Sequence, residues 1–191
     1  SIRCSGANWP KCKDAAVASI IWERQIMNSF SALRAPREIL FGLGQRRALG
    51  RVAQRLGTRA LVCTDARLAG DSAFQEMLGH LRAAHLVIEV DASVQPDVPR
   101  DTCVAAAEKA RRFAPDMVIG IGGGSCIDHA KCLATLLTHG GAPEDYYGEF
   151  KVPGPVLPVI AVPTTAGTGS EVTPVAVLSD SEKIMKVGIS S

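Results

Sequence analysis

From Arg37 onward, short apolar runs alternate with longer segments in which apolar positions recur at helical spacing. Glu38-Ile-Leu-Phe41 reads as a short strand, followed by Gly42 and Gly44. Gln45 to Leu56 reads as a helix that stops at Gly57. Ala60-Leu-Val-Cys-Thr64 is a continuous apolar run, a buried strand ending in Asp65. Ser72 to Ala84 is helical, Leu86-Val-Ile-Glu-Val90 is a strand, and Arg100 to Phe113 is a helix stopped at Pro115. Asp116-Met-Val-Ile-Gly-Ile121 is a strand that runs into Gly122-Gly123-Gly124, and a helix then continues to about Thr138. Pro158-Val-Ile-Ala-Val162 is a further strand. Val175–Leu178 and Ile184–Val187 suggest a hairpin. This alternation predicts an α/β fold: a Rossmann-like parallel sheet with helices on both faces, plus a terminal β-hairpin. Ligands of such sheets sit at the carboxyl ends of the strands.

Three loops at those ends are chemically unusual. The first begins at Asp65, whose carboxylate can accept hydrogen bonds from the vicinal hydroxyls of a ribose. It would repel a 2′-phosphate and so favours NAD over NADP; the alternative is a helix or turn cap. The second is Gly122 to Ser125. Glycines let the backbone approach a ligand and take up positive φ angles, and Ser125 with Asp128 three residues on reads as a capping box. A helix N-terminus behind such a turn is ready to bind an anion, here the phosphates of a nucleotide. The alternative is a tight turn that binds nothing. It is not a complete G-x-G-x-x-G fingerprint, because Ile127 stands at the last glycine position, nor a Walker A motif. Glu144 and Asp145 lie about 20 residues further on, but they follow a helix and Pro143 rather than a strand. The third loop, Pro163-Thr-Thr-Ala-Gly-Thr-Gly-Ser-Glu-Val-Thr173, is dense in hydroxyls; it could hold ribose or phosphate, or merely cap its own backbone.

Composition narrows the function. The chain has 191 residues, 47% of them hydrophobic and 21% charged, with a net charge of +2. That is enough for one domain with a core and gives no reason to expect nucleic acid or an anionic membrane as partner. No stretch is long and apolar enough to span a bilayer, and no signal peptide of the usual form is present. The six cysteines make no C-x-x-C pair, which points to free thiols in a reducing cytosol rather than to a disulfide or zinc set. The expected location is therefore cytoplasmic. Residues 1–29 have mixed character, with a helix possible over Ala15–Ile26, and read as a leader or tail outside the α/β domain of 30–191.

Gly122-Gly-Gly-Ser-Cys-Ile-Asp-His-Ala-Lys131 and Pro163 to Thr173 resemble the two signature segments of the iron-containing (group III) alcohol dehydrogenases. Phe41-Gly-Leu-Gly44, Thr64-Asp65 and Lys186 to Ser191 fit the same pattern, so the resemblance covers about residues 34–191. It implies the N-terminal dinucleotide-binding domain of an NAD(P)-dependent enzyme that interconverts an alcohol with its aldehyde or ketone. Asp65 would bind the adenosine ribose. Gly123, Gly124 and Ser125 would hold the pyrophosphate, with Asp128 close by. Thr164, Thr165 and Thr168 would line the adenine and ribose side, and Thr173 and Lys186 would lie nearer the nicotinamide ribose. Val94-Gln95-Pro96 departs from the family's Pro-Asn-Pro.

The resemblance also implies a divalent metal, iron or zinc, held by one aspartate and three histidines on a C-terminal helical domain. His80, His85, His129 and His139 do not fit that set, since none has an aspartate four residues before it. The expectation is that this chain holds no metal ligands, lacks the helical domain, supplies the cofactor's half of the enzyme, and is inactive alone. No catalytic residue is assigned: Lys131 is expected to pair along its helix and Tyr146-Tyr147 to fill the edge of the core. A related polyol dehydrogenase, a dehydroquinate-synthase-like lyase and an inactive nucleotide-binding fragment remain alternatives. The exposed edge of the first strand offers a homodimer contact, as the resemblance suggests.

Overall fold

The computed structural model describes residues 35–190. The expectations for 1–29, including the helix over Ala15–Ile26, lie outside the described residues. Four parallel strands form the main sheet: β1 (Arg59–Cys63), β2 (Val87–Asp91), β3 (Met117–Gly122) and the strand Val159–Pro163. The two-residue strand β4 (Gly148–Glu149) precedes the last of these, which is therefore β5. The order across the sheet is β2-β1-β3-β5. Five α-helices connect or flank them: α1 (Leu49–Ala53), α2 (Ala66–Ala69), α3 (Ser72–Ala83), α4 (Arg100–Phe113) and α5 (Gly124–His139). A second sheet of order β4-β7-β6 contains the antiparallel pair β6 (Val175–Leu178) and β7 (Val187–Ser190).

Period-two alternation divides the core between the two faces of the main sheet. Ala60 and Val62 of β1 and Met117, Ile119 and Ile121 of β3 point to one side, where they meet Leu49 of α1 and Phe74, Leu78 and Leu81 of α3. Leu61, Cys63 and Val118 point to the other, where Ala106 and Ala107 of α4 and Ala130 and Leu133 of α5 cover them. β3 is buried at every position, as the central strand of a doubly covered sheet must be.

Several expectations change. Glu38–Phe41 forms no strand; Ile39 and Phe41 are exposed and pair with no strand among the described residues, so an apolar run alone does not make one. The helix of Gln45–Leu56 is a 3-10 turn, Gln45–Ala48, followed by α1. The second hairpin strand is Val187–Ser190 rather than Ile184–Val187, because Leu178 pairs with Val187 and leaves Ile184 and Met185 in an exposed loop. Ser125 does not cap α5. Gly123 holds the N-cap position and Ser125 lies inside the first turn, so the capping box is absent. No helix among the described residues is long and apolar enough to cross a membrane.

Candidate functional site

β1 connects to β2 on one side, and the chain then returns through α4 to β3 on the other side of β1. The order of the sheet therefore reverses between β1 and β3. The crevice outside the carboxyl ends of those two strands is where an open α/β sheet admits a ligand. Asp65 follows β1 there, the glycine turn follows β3, and the hydroxyl-rich loop follows the adjacent β5.

The glycine turn has a backbone only glycine tolerates at one position. Gly122 has φ +147, and a Cβ there would run into Cys126 Sγ. Its carbonyl accepts from Thr164 N–H at 2.8 Å, which ties the turn to the loop after β5. Gly123 is extended and accepts from the N–H groups of Cys126 and Ile127, but no side chain caps the start of α5. The first N–H groups of the helix thus point into the crevice without an intrahelical acceptor. The hydroxyl loop lies directly across from them. A Cβ on Gly124 would stand 3.2 Å from Thr168 Cβ and 3.1 Å from Ser170 Oγ, and one on Gly123 would stand 3.4 Å from Thr165 Oγ1. The absence of side chains at 123 and 124 lets the hydroxyl loop approach the start of α5 closely.

Asp65 fills the capping role. It is the N-cap of α2, and its Oδ1 accepts from Leu68 N–H at 2.8 Å. Oδ2 is left facing Arg67 at 4.0 Å, with the arginine largely exposed. Asp65 also bears on the glycine turn: burial first, and then the Asp65 charge, push the Cys126 thiol up. Beneath the same edge, Thr64 Oγ1 is buried and makes no hydrogen bond among the described residues.

The other residues expected at the cofactor have different partners. Asp128 is buried; its Oδ2 accepts from Val177 N–H at 3.2 Å, and its Oδ1 lies 3.5 Å from Lys131 Nζ. Lys131 Nζ donates to the Val175 carbonyl at 2.7 Å, so this pair fastens β6 to α5. Burial holds the Lys131 ammonium below its ordinary value despite Asp128. Lys186 Nζ pairs with Asp97 Oδ1 at 2.5 Å, and Thr173 is exposed just before β6. Tyr146 and Tyr147 are fastened by their hydroxyls, Tyr146 to the Gly140 carbonyl and Tyr147 to Asp180. Burial, and then Asp180, push the Tyr147 phenol up.

The comparisons with known proteins fit this geometry. The family model for iron-containing alcohol dehydrogenase matches residues 36–191. The chain belongs to the iron-containing alcohol dehydrogenase family. It is 35% identical over 156 residues to the sulfoacetaldehyde reductase of Bilophila wadsworthia, covering 81% of this chain and 40% of that one. It is 36% identical over 156 residues to the NAD-dependent methanol dehydrogenase of Bacillus methanolicus, covering 81% and 41%. Its fold matches a solved structure of 1,3-propanediol oxidoreductase with a TM-score of 0.81 at 32% identity, over 85% of this chain and 43% of that one. This iron-containing alcohol dehydrogenase chain thus spans about two fifths of the length of the relatives it matches.

The family name implies a metal, yet the described residues do not assemble the expected set of one aspartate and three histidines. His80 contacts Glu76 at 3.4 Å, His85 is exposed, and the His139 ring faces Tyr146. His129, by contrast, is fully buried. Its Nε2 lies 2.9 Å from Asp91 Oδ2 and its Nδ1 lies 3.4 Å from Cys103 Sγ. Burial alone would lower its pKa, but Asp91 and Cys103 push it up to about 9, which favours the imidazolium form. A signal was present: Cys126, His129, Ala130 and Leu133 recur at helical spacing on the apolar face of α5, where a lone histidine needs a partner.

Proposed function

We propose that this chain forms the cofactor-binding half of an NAD-dependent oxidoreductase that interconverts an alcohol and its aldehyde or ketone. The observation that carries the proposal is the uncapped start of α5, set across from Thr165, Thr168 and Ser170 and flanked by Asp65 at the point where the strand order reverses. The names of the relatives, a reductase of an aldehyde and an NAD-dependent dehydrogenase of an alcohol, support the reaction class.

The residues divide the work as follows. The backbone N–H groups at Gly124 and Ser125 receive the pyrophosphate, whose charge the helix dipole favours. Thr164, Thr165 and Thr168 close over it from the loop after β5. Asp65 Oδ2 accepts from the ribose hydroxyls while Oδ1 stays on Leu68, so the helix cap fixes the carboxylate's orientation. The nicotinamide supplies the hydride chemistry, and the chain orients it. No step is assigned to the family's metal, because the described residues do not provide its ligands. Thr173 and Lys186 belong to the nicotinamide side of this reading; the Lys186–Asp97 pair would have to open for the ammonium to reach a ribose.

The Asp65 charge disfavours a 2′-phosphate, so NADH is expected to bind more tightly than NADPH. Asp65→Asn tests this selectively, because asparagine remains a good N-cap and removes only the charge. Titration of the protein by nucleotide fluorescence should show the NADH-over-NADPH preference shrink about 10-fold in the variant, the size of about 1.4 kcal/mol. An equal loss for both cofactors would remove Asp65 from the ribose.

A further inference from the structure

Behind the cofactor edge lies a buried cluster that the cofactor reading does not use. Cys63 ends β1, Asp91 ends β2, and His129 stands in the second turn of α5. One ligand atom from each, a sulfur, a carboxylate oxygen and an imidazole nitrogen, lie within 4.8 Å of one another, and all three residues are buried. Two of the three are held in orientation by outer contacts. Asp91 Oδ1 accepts from Ser93 N–H at 3.1 Å and Ser93 Oγ at 2.6 Å, which leaves Oδ2 for His129. Cys103 Sγ takes the far nitrogen of His129 and aims Nε2 at Asp91. The Cys63 thiol makes no hydrogen bond among the described residues, although it lies in the same space.

We infer that Cys63 Sγ, Asp91 Oδ2 and His129 Nε2 form a binding site for a thiophilic divalent cation of the zinc type, with Cys103 as the residue that orients His129. The donor set decides the class. One thiolate, one imidazole and one carboxylate suit Zn²⁺ and its neighbours, whereas magnesium and calcium take oxygen ligands. Three protein ligands leave a fourth tetrahedral position open. Bond lengths of about 2.0–2.3 Å place tetrahedral ligand atoms about 3.3–3.7 Å apart. His129 Nε2 and Asp91 Oδ2, now 2.9 Å apart, would therefore part by about half an ångström. The protons balance. Cys63 loses its thiol proton and His129 the proton on Nε2, both to solvent, and one dication takes their place. Thiol, imidazolium and carboxylate carry no net charge together, and neither do thiolate, imidazole, carboxylate and a dication. The buried cluster can thus exchange two protons for one divalent ion without gaining charge, which a low-dielectric interior demands. Such an ion would join β1, β2 and α5 directly behind Asp65 and the glycine turn. Its ligands differ from the aspartate and three histidines that the family resemblance implies, so it is a second kind of site.

Cobalt(II) titration of the metal-depleted protein tests this, because only a thiolate ligand gives the near-ultraviolet sulfur-to-cobalt charge-transfer band. A site of oxygen and nitrogen ligands elsewhere in the enzyme does not give that band. The expected result is a band that saturates at one equivalent, is bleached by added zinc, and is lost in Cys63→Ala and His129→Gln. It should persist in Cys132→Ser, whose sulfur is not in the set. Circular dichroism of each variant establishes that it folds. If a substituted protein fails to fold, the wild-type band and a zinc-dependent rise in melting temperature still decide the matter. Absence of the band in folded wild type, or its survival in folded Cys63→Ala, overturns the site. NADH titration of the same samples reports separately on the cofactor crevice.

Discussion

Gly57 and Gly122 are both glycines after secondary-structure elements, but they answer to different constraints. At Gly57 the limit is space: a Cβ would collide with the Asp116 carboxylate, which accepts from the N–H groups of Thr58 at 2.7 Å and Arg59 at 2.8 Å. At Gly122 the limit is both space and backbone, since φ is +147 and Cys126 Sγ occupies the place of a side chain. Gly122→Ala should therefore cost about 1–3 kcal/mol of stability and weaken NADH binding, because relief of the clash moves the start of α5. Urea denaturation and cofactor titration check the two effects; unchanged values for both would show that the turn is slack. Asp116 sets a pH dependence. Burial raises its pKa, but the Thr58 and Arg59 N–H groups outweigh this and hold it below the ordinary value. A group whose pKa is depressed on folding binds its proton more readily in the unfolded chain, so its stabilisation is present above about pH 4 and is lost as the pH falls through the folded value. Asp116→Ala should reduce overall stability and flatten the acid limb of the stability profile relative to wild type, as thermal melts between neutral and acid pH would show.

At the scale of elements, α5 is the piece on which the others converge. Its start faces the crevice, its apolar face covers β3, and its last turn carries Thr138, whose Oγ1 accepts from Leu157 N–H at 2.9 Å just before β5. Asp128 and Lys131 reach from the helix to hold β6, so these polar residues of the signature segment secure the hairpin. Lys131→Met should release the Val175 carbonyl and leave the Asp128 carboxylate buried without its cation. A loss of about 1–3 kcal/mol is expected, and amide hydrogen exchange over Val175–Leu178 should accelerate more than exchange in β3. Equal rates in variant and wild type would mean that the pairing of β6 with β7 alone holds the hairpin. The capping box inferred from Ser125 and Asp128 fails at this same scale. Spacing shows which residues could cap, but Gly123 had already taken the N-cap position, which left Asp128 free to reach β6.

Residues 35–190 are built around a sheet covered on both faces whose strand order reverses between β1 and β3, and that reversal, together with Asp65 and two loops, makes the crevice. Much of this was legible in the chain. The strands of the main sheet and helices α3, α4 and α5 appear within a residue or two of where the pattern puts them, because burial of a doubly covered sheet requires that pattern. The glycine turn was also legible, since only glycine satisfies its backbone. So was Asp65, placed at the end of a buried strand. Other features required the fold. Glu38–Phe41 looks like a strand but pairs with none among the described residues, and strand pairing is a long-range event that local sequence does not specify. The Lys186–Asp97 pair joins residues far apart in the chain. Cys63, Asp91, Cys103 and His129 come from two strand ends and two helices, and they share no spacing that a linear reading could detect. The sequence by itself determined the elements and the chemistry of each loop, because those depend on neighbours within a few residues. The tertiary structure alone decided which strand end lies beside which, and so where a carboxylate, a helix start and a buried histidine meet their partners.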